Sequence, residues 1–197
     1  MYKIKLLSFV FIIIVFSDCN KEKLTSEEYQ NWYNKNQESL NCSKTISEFT
    51  FKVKYLPNDI LSLKSKNTNG TNFKDEIQKQ SEMQCYVFRI ELKNKNKDPM
   101  VFNVRDQVEY QKRVEYYSFL VKNDFCLVEG NDTLPCIMSH FERYYGSAPY
   151  INLMIGFENK NNVCDKTIIF NDIVFNNGII KLTIKKEAIE SIPELIN

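Results

Sequence analysis

Apolar residues recur at every second position in three separate stretches of this chain, and that rhythm limits the fold more than any other feature. Phe49, Phe51, Val53 and Tyr55 alternate with Thr50, Lys52 and Lys54. Tyr86, Phe88, Ile90 and Leu92 alternate with Cys85, Val87, Arg89 and Glu91, and Ile151, Leu153, Ile155 and Phe157 repeat the pattern. A period of two sends neighbouring side chains to opposite faces, so each stretch predicts a strand with one buried and one wet face. Shorter strands are expected at 100–104, 116–121, 125–129, 133–141, 165–170 and 179–184, with Gly130-Asn131-Asp132 and Asn177-Gly178 as turn signals. Pro135 lacks an N–H to donate, which places its strand at an edge or beside a bulge. About eight strands with no sustained βαβ alternation predict a mainly β fold, an antiparallel β-sandwich with a short N-terminal helix. A single open antiparallel sheet capped by short helices is the alternative.

The first twenty residues follow a different logic. Lys3 and Lys5 precede an apolar run from Leu6 to Phe16, broken only by Ser8, and Ser17-Asp18-Cys19 closes it. A basic start, an apolar middle and polar or small residues before a cut form the layout of a bacterial export signal, and the run is shorter than the roughly 20 residues of a membrane span. Cys19 at its end resembles the lipobox of bacterial lipoproteins, with Phe16 and Asp18 standing where that motif usually has an aliphatic and a small residue. The resemblance implies that Cys19 is diacylated and becomes the first residue of the mature chain. The start Cys19-Asn20-Lys21-Glu22-Lys23 resembles the surface-export signals of such lipoproteins. The expected organisation is an export signal at 1–18, a lipid tether, short helix and linker at 19–45, and the β-sandwich at 46–197.

Composition excludes several classes. Removing 1–18 takes away Lys3, Lys5 and Asp18 and leaves a chain that is neutral when His140 is uncharged. Neutrality argues against nucleic acid as a partner and against recruitment to anionic lipid by charge. With 43% hydrophobic and 13% aromatic residues the chain has the material for a core. Five further cysteines, Cys42, Cys85, Cys126, Cys136 and Cys164, include no CxxC pair, so no zinc-site spacing is present and no metal or other cofactor is expected. Cys126 and Cys136 are symmetrical about Asn131. A three-residue loop of Gly130, Asn131 and Asp132 would set them opposite each other, within reach of a disulfide in an oxidising compartment. Two small buried thiols are the alternative.

Between tether and sandwich, Thr25 and Glu28 fit a capping box, and the helix it starts carries Tyr29, Trp32 and Tyr33 on one face. That face either docks on the domain or offers an aromatic platform. Residues 34–45 read as a linker. Short helical turns are expected at 60–63, 73–80, 106–113 and 185–192, with a turn-rich loop at 67–72.

The densest collection of reactive residue types runs from Glu129 to Tyr150 and includes His140, the one histidine of the chain. His140 and Glu142 share a strand face, with Cα atoms roughly 7 Å apart. The stretches Asn131-Asp132-Thr133-Leu134-Pro135-Cys136, His140-Phe141-Glu142-Arg143 and Tyr145-Gly146-Ser147-Ala148-Pro149-Tyr150 resemble shared motifs of small Bacteroidetes-type lipoproteins of unassigned function. That resemblance implies an envelope location and brings no catalytic residue. The expected recognition loop is His140, Glu142, Arg143, Tyr144, Tyr145 and Tyr150. The expected function is a lipid-anchored envelope binding or accessory module, held to the membrane through Cys19 and facing an envelope protein or glycan. An envelope hydrolase using His140 with Glu142 or Asp132, and an immunity-type lipoprotein that intercepts an incoming protein, are the alternatives.

Overall fold

The computed structural model describes residues 21–66, 82–94, 97–144 and 148–196. The export segment 1–18, Cys19, the loop and helix expected over 67–80, and Tyr145 lie outside the described residues. The alternating stretches form strands, and the strands form two antiparallel sheets, a β-sandwich. Strands β2 (Asn41–Ile46), β3 (Phe49–Leu56), β4 (Met83–Leu92), β7 (Met138–Glu142) and β8 (Tyr150–Glu158) make a five-stranded sheet in the order β2-β3-β4-β8-β7. Strands β5 (Phe125–Glu129), β6 (Asp132–Pro135), β9 (Lys166–Asp172) and β10 (Gly178–Ile184) make a four-stranded sheet in the order β10-β9-β5-β6. A two-residue parallel pair, β1 (Lys23–Leu24) with β11 (Glu194–Leu195), fastens the entry of the chain to its exit.

The inward residues of both sheets meet in an aromatic layer. Phe88 contacts Phe125 and Phe170 edge-on at 4.9 and 5.0 Å between ring centroids, Phe125 stacks on Phe170 at 4.5 Å, and Phe51 closes on Phe170 at 6.4 Å. Such offset and edge contacts are the favoured ring geometries and add to the area the rings bury. At one end of this layer sits a buried ion pair. Lys166 of β9 donates to Glu129, its register partner on β5, and both are almost fully enclosed. Gln84 Nε2, from the facing sheet, reaches the same carboxylate at 2.9 Å, and Tyr86 Oη donates to Gln84 Oε1 at 2.9 Å. The charges are tolerable because each lone pair in use has a donor; an unpaired charge there would be costly.

Helix α1 (Ser26–Asn36) starts at the expected capping box, with Glu28 Oε2 accepting from the Thr25 backbone at 2.9 Å. Tyr29 and Tyr33 are buried and Trp32 is half-buried, so the aromatic face docks the helix on the domain. Helix α2 (Asn58–Lys66) extends the turn expected at 60–63, while α3 (Gln107–Glu115) and α4 (Lys186–Glu190) fall where helical turns were expected.

Four expectations are corrected. Residues 34–45 are not a linker: α1 runs to Asn36, and Asn41–Ile46 is the edge strand β2, paired along its length with β3. Residues 116–121 are helical, because α3 continues through a π-helical turn (Tyr116–Leu120) and a 3-10 turn (Val121–Asp124). A short apolar run has no period to separate helix from strand, and here Tyr117 is buried against Phe141 while Tyr116 Oη donates to Asp124 at 2.8 Å. Residues 99–101 form a 3-10 turn (Pro99–Val101), not a strand; the carbonyls of Pro99 and Met100, with that of Phe102 after it, take the Arg113 guanidinium. The stretch 133–141 is two strands in different sheets, broken at Cys136 and Ile137.

The turn that precedes this break sets the cysteines. The β5–β6 turn has two residues, Gly130 at φ +58 and Asn131, so Glu129 faces Asp132 and Cys126 faces Pro135. Positive φ at the first turn position is the hairpin geometry glycine suits. Cys136 is therefore one step out of register with Cys126, and both are free thiols. Pro135 sits at the end of β6, an edge strand as expected.

Lys166→Met should cost about 3–5 kcal/mol in urea unfolding, because it strands the Glu129 carboxylate. The double variant Lys166→Met with Glu129→Leu should regain most of that loss. A single variant as stable as the parent would show that the pair is not the closure described here.

Candidate functional site

Because Phe51, Val53 and Tyr55 face the core, Lys52 and Lys54 must face outward, and the same parity sends Arg89, Glu91, Asn152, Tyr150, His140 and Glu142 to the outer face. Register then lines these residues up. Lys52, Arg89, Asn152 and Glu142 are successive partners across β3, β4, β8 and β7. Lys54, Val87, Met154 and His140 form the adjacent row, and Thr50, Glu91 and Tyr150 the row on the other side.

The central row is bonded from end to end. Lys52 Nζ lies 2.6 Å from Glu91 Oε2, and Arg89 reaches the same carboxylate at 3.6 Å. Arg89 Nε donates to Asn152 Oδ1 at 2.7 Å while its guanidinium lies 3.9 Å from the Tyr150 ring centroid. Asn152 Nδ2 donates to Glu142 Oε2 at 2.9 Å, and Tyr144 Oη donates to the same oxygen. Tyr144 meets Tyr150 edge-on at 5.3 Å. Burial pushes the Glu142 carboxyl up, but the bonds from Tyr144 and Asn152 and the charges of His140 and Arg89 outweigh it and hold it below the usual range. The Glu142 carboxylate in turn pushes the Tyr144 hydroxyl up to about 12.

The expected recognition residues divide accordingly. His140, Glu142, Tyr144 and Tyr150 come together on this face; Arg143 follows β7 and lines, with Glu142, Tyr144 and Tyr150, a cleft of only about 20 Å³. That is room for about one water. Asp132, the first residue of β6 in the other sheet, is drawn instead to Lys160 at 3.0 Å. Ser139 points to the opposite side of β7 from His140. His140 itself is exposed on an edge strand.

Lys52, Lys54, Arg89, Glu91 and Asn152 were missed. Strand parity marked them as outward, but nothing in the sequence says that residues of four separate strands share one row. Beside the row, a groove of about 560 Å³ opens between the end of α1 and strands β2, β3 and β4. Among the described residues no group of three His, Cys, Asp or Glu side chains is placed to hold a metal ion. No described helix is long and apolar enough to cross a membrane.

No protein-family model matches the chain, and no curated protein or solved structure resembles it at a significant level.

A carboxyl held low in the folded state stabilises the fold fully above its unfolded pKa, and that contribution fades as pH falls through the folded value. Wild type should therefore lose more melting temperature than Glu142→Gln between about pH 6 and about pH 3. Parallel curves for the two proteins would contradict the bonding at Glu142.

Proposed function

We propose that the protein is an exported binding module, anchored in the bacterial envelope by a lipid on Cys19, that works through the outer face of its five-stranded sheet. The observation that carries this reading is the bonded row Lys52–Arg89–Asn152–Glu142 with Tyr144 and Tyr150. Ordered charged and aromatic side chains on a rigid sheet lose little conformational entropy when a partner docks, which favours recognition. Tyrosine and arginine are also the side chains that most often anchor interfaces. The lipid anchor is supported by the export-type segment and the position of Cys19. A hydrolase reading has less support: His140 is exposed, Glu142 is engaged by Tyr144 and Asn152, and Asp132 by Lys160.

Two measurements test the two halves. Cys19→Ala should abolish labelling by a fatty-acid probe and partition into membranes; equal labelling of mutant and parent would end the lipoprotein reading. The full chain in detergent should capture an envelope component that Glu142→Ala/Asn152→Ala, checked for an unchanged melting temperature, captures at least about tenfold less, as loss of central contacts does. Equal capture by a folded variant would remove this face from the proposal.

A further inference from the structure

We propose that the pocket between α1, the start of α2 and β11 binds the ethanolamine-phosphate headgroup of a membrane lipid. The proposal rests on the lipid anchor at Cys19 and names what the anchored domain meets beside it.

The pocket holds about 490 Å³, within the size range of small-molecule sites. Three polar groups converge on it: the Tyr29 hydroxyl from α1, the Asp59 carboxyl from the first turn of α2, and the Tyr55 hydroxyl from β3. Tyr29 is wholly buried, and its hydroxyl completes no hydrogen bond with any described group. Such a group costs stability unless a water or a ligand takes it up. Asp59 is half-buried. Burial pushes its carboxyl up, with only the Tyr29 hydroxyl beside it working the other way, and among the described residues no lysine or arginine is paired with it. Burial first, and the Asp59 charge next, push the Tyr29 hydroxyl up; burial, Cys85 and Asp59 push that of Tyr55 up to about 12.

A carboxylate and two phenol oxygens therefore share one pocket and lack a cation. A primary ammonium supplies that charge together with three N–H donors, one for each group. A quaternary ammonium brings the charge without the donors and would leave the buried hydroxyl unpaired. At the mouth the sign reverses. Lys21 is exposed there with no ion pair among the described residues, whereas Glu194 on the same rim lies 4.0 Å from Lys23. Ile192 and Leu195, both partly buried, line the space with apolar surface suited to the carbons that link ammonium to phosphate. The chain also fixes where this mouth stands. The Glu22 carbonyl accepts from the Glu194 backbone at 2.8 Å, so the domain holds the chain three residues after Cys19. Three residues span at most about 11 Å, which keeps a rim formed by Lys21 at the level of the headgroups around a lipid on Cys19.

The test is calorimetric titration of the full chain in nonionic detergent with four probes. These are dihexanoyl phosphatidylethanolamine, dihexanoyl phosphatidylcholine, free glycerophosphoethanolamine and Nα-acetyl-lysine amide. Both ethanolamine probes should bind, and the choline lipid, which enters micelles as readily but carries no ammonium N–H, should bind at least about tenfold more weakly. Tyr29→Phe removes only the unpartnered hydroxyl. It should keep or raise the melting temperature while weakening the ethanolamine lipid about fivefold, and Asp59→Asn should weaken it at least about tenfold. Equal binding of the choline lipid overturns the proposal, as does a folded Asp59→Asn variant that binds unchanged. A Tyr29→Phe variant that loses stability but no affinity shows that the hydroxyl serves the fold, which also overturns it. Binding of the free headgroup alone would make the ligand a soluble amine, and equal binding of the lysine amide would make it a protein side chain; both exclude the lipid. If neither ethanolamine probe binds while Cys19 still takes a fatty-acid label, this proposal falls and the anchor stands.

Discussion

The parity of β4 controls both the core and the outer face. Phe88 must point inward to meet Phe125 and Phe170 of the other sheet. With Phe88 inward, Arg89 has no choice but to point outward, and so do Val87 and Glu91. A slip of one residue would bury the charges of Arg89 and Glu91 and expose Tyr86, Phe88, Ile90 and Leu92, a loss of many kcal/mol at the usual cost of uncovering apolar surface. The packing of one strand therefore fixes where the cations of its opposite face stand. Strands β3 and β8, locked to β4 along eight and nine residue pairs, carry that choice to Lys52 and Asn152.

Polar closure does at the end of the sandwich what the aromatic rings do in its middle. The Glu129–Lys166 pair belongs to one sheet and Gln84 to the other, so a single carboxylate ties both. Arg113 plays a related part in the segment between β4 and β5, where it gathers the carbonyls of Pro99, Met100 and Phe102 and lies 5.3 Å from the Phe175 ring centroid. Buried polar groups in irregular backbone need such donors, since no strand partner provides them. The π-helical turn before β5 keeps Tyr116 and Tyr117 both buried while Phe119 is left 72% exposed.

On the outer face, charge is organised rather than simply abundant. Exposed ion pairs contribute little to stability by themselves. The value of the row lies in how its members hold one another: Glu91 steadies two cations, Asn152 bridges Arg89 to Glu142, and Tyr144 completes the carboxylate. A surface ordered in this way has its side chains fixed before contact, which suits it to recognition.

The sequence by itself determined the strands with clear alternation, the capped aromatic helix and the edge position of Pro135, because each of these is a local consequence of backbone period, capping chemistry or a missing N–H. It also brought His140 and Glu142 together, since neighbours two apart on a strand share a face. Short apolar or polar stretches were not legible: 116–121 became helix and 41–46 became strand because tertiary contacts, not local preference, decided them. The opposition of Cys126 and Cys136 failed on a single residue of turn length, as Gly130 at positive φ allowed a two-residue hairpin. Only the tertiary structure placed Lys52, Arg89, Asn152 and Glu142 in one row. Strand parity is written in each segment, but the pairing of segments far apart in the chain depends on how both sheets close over their shared core.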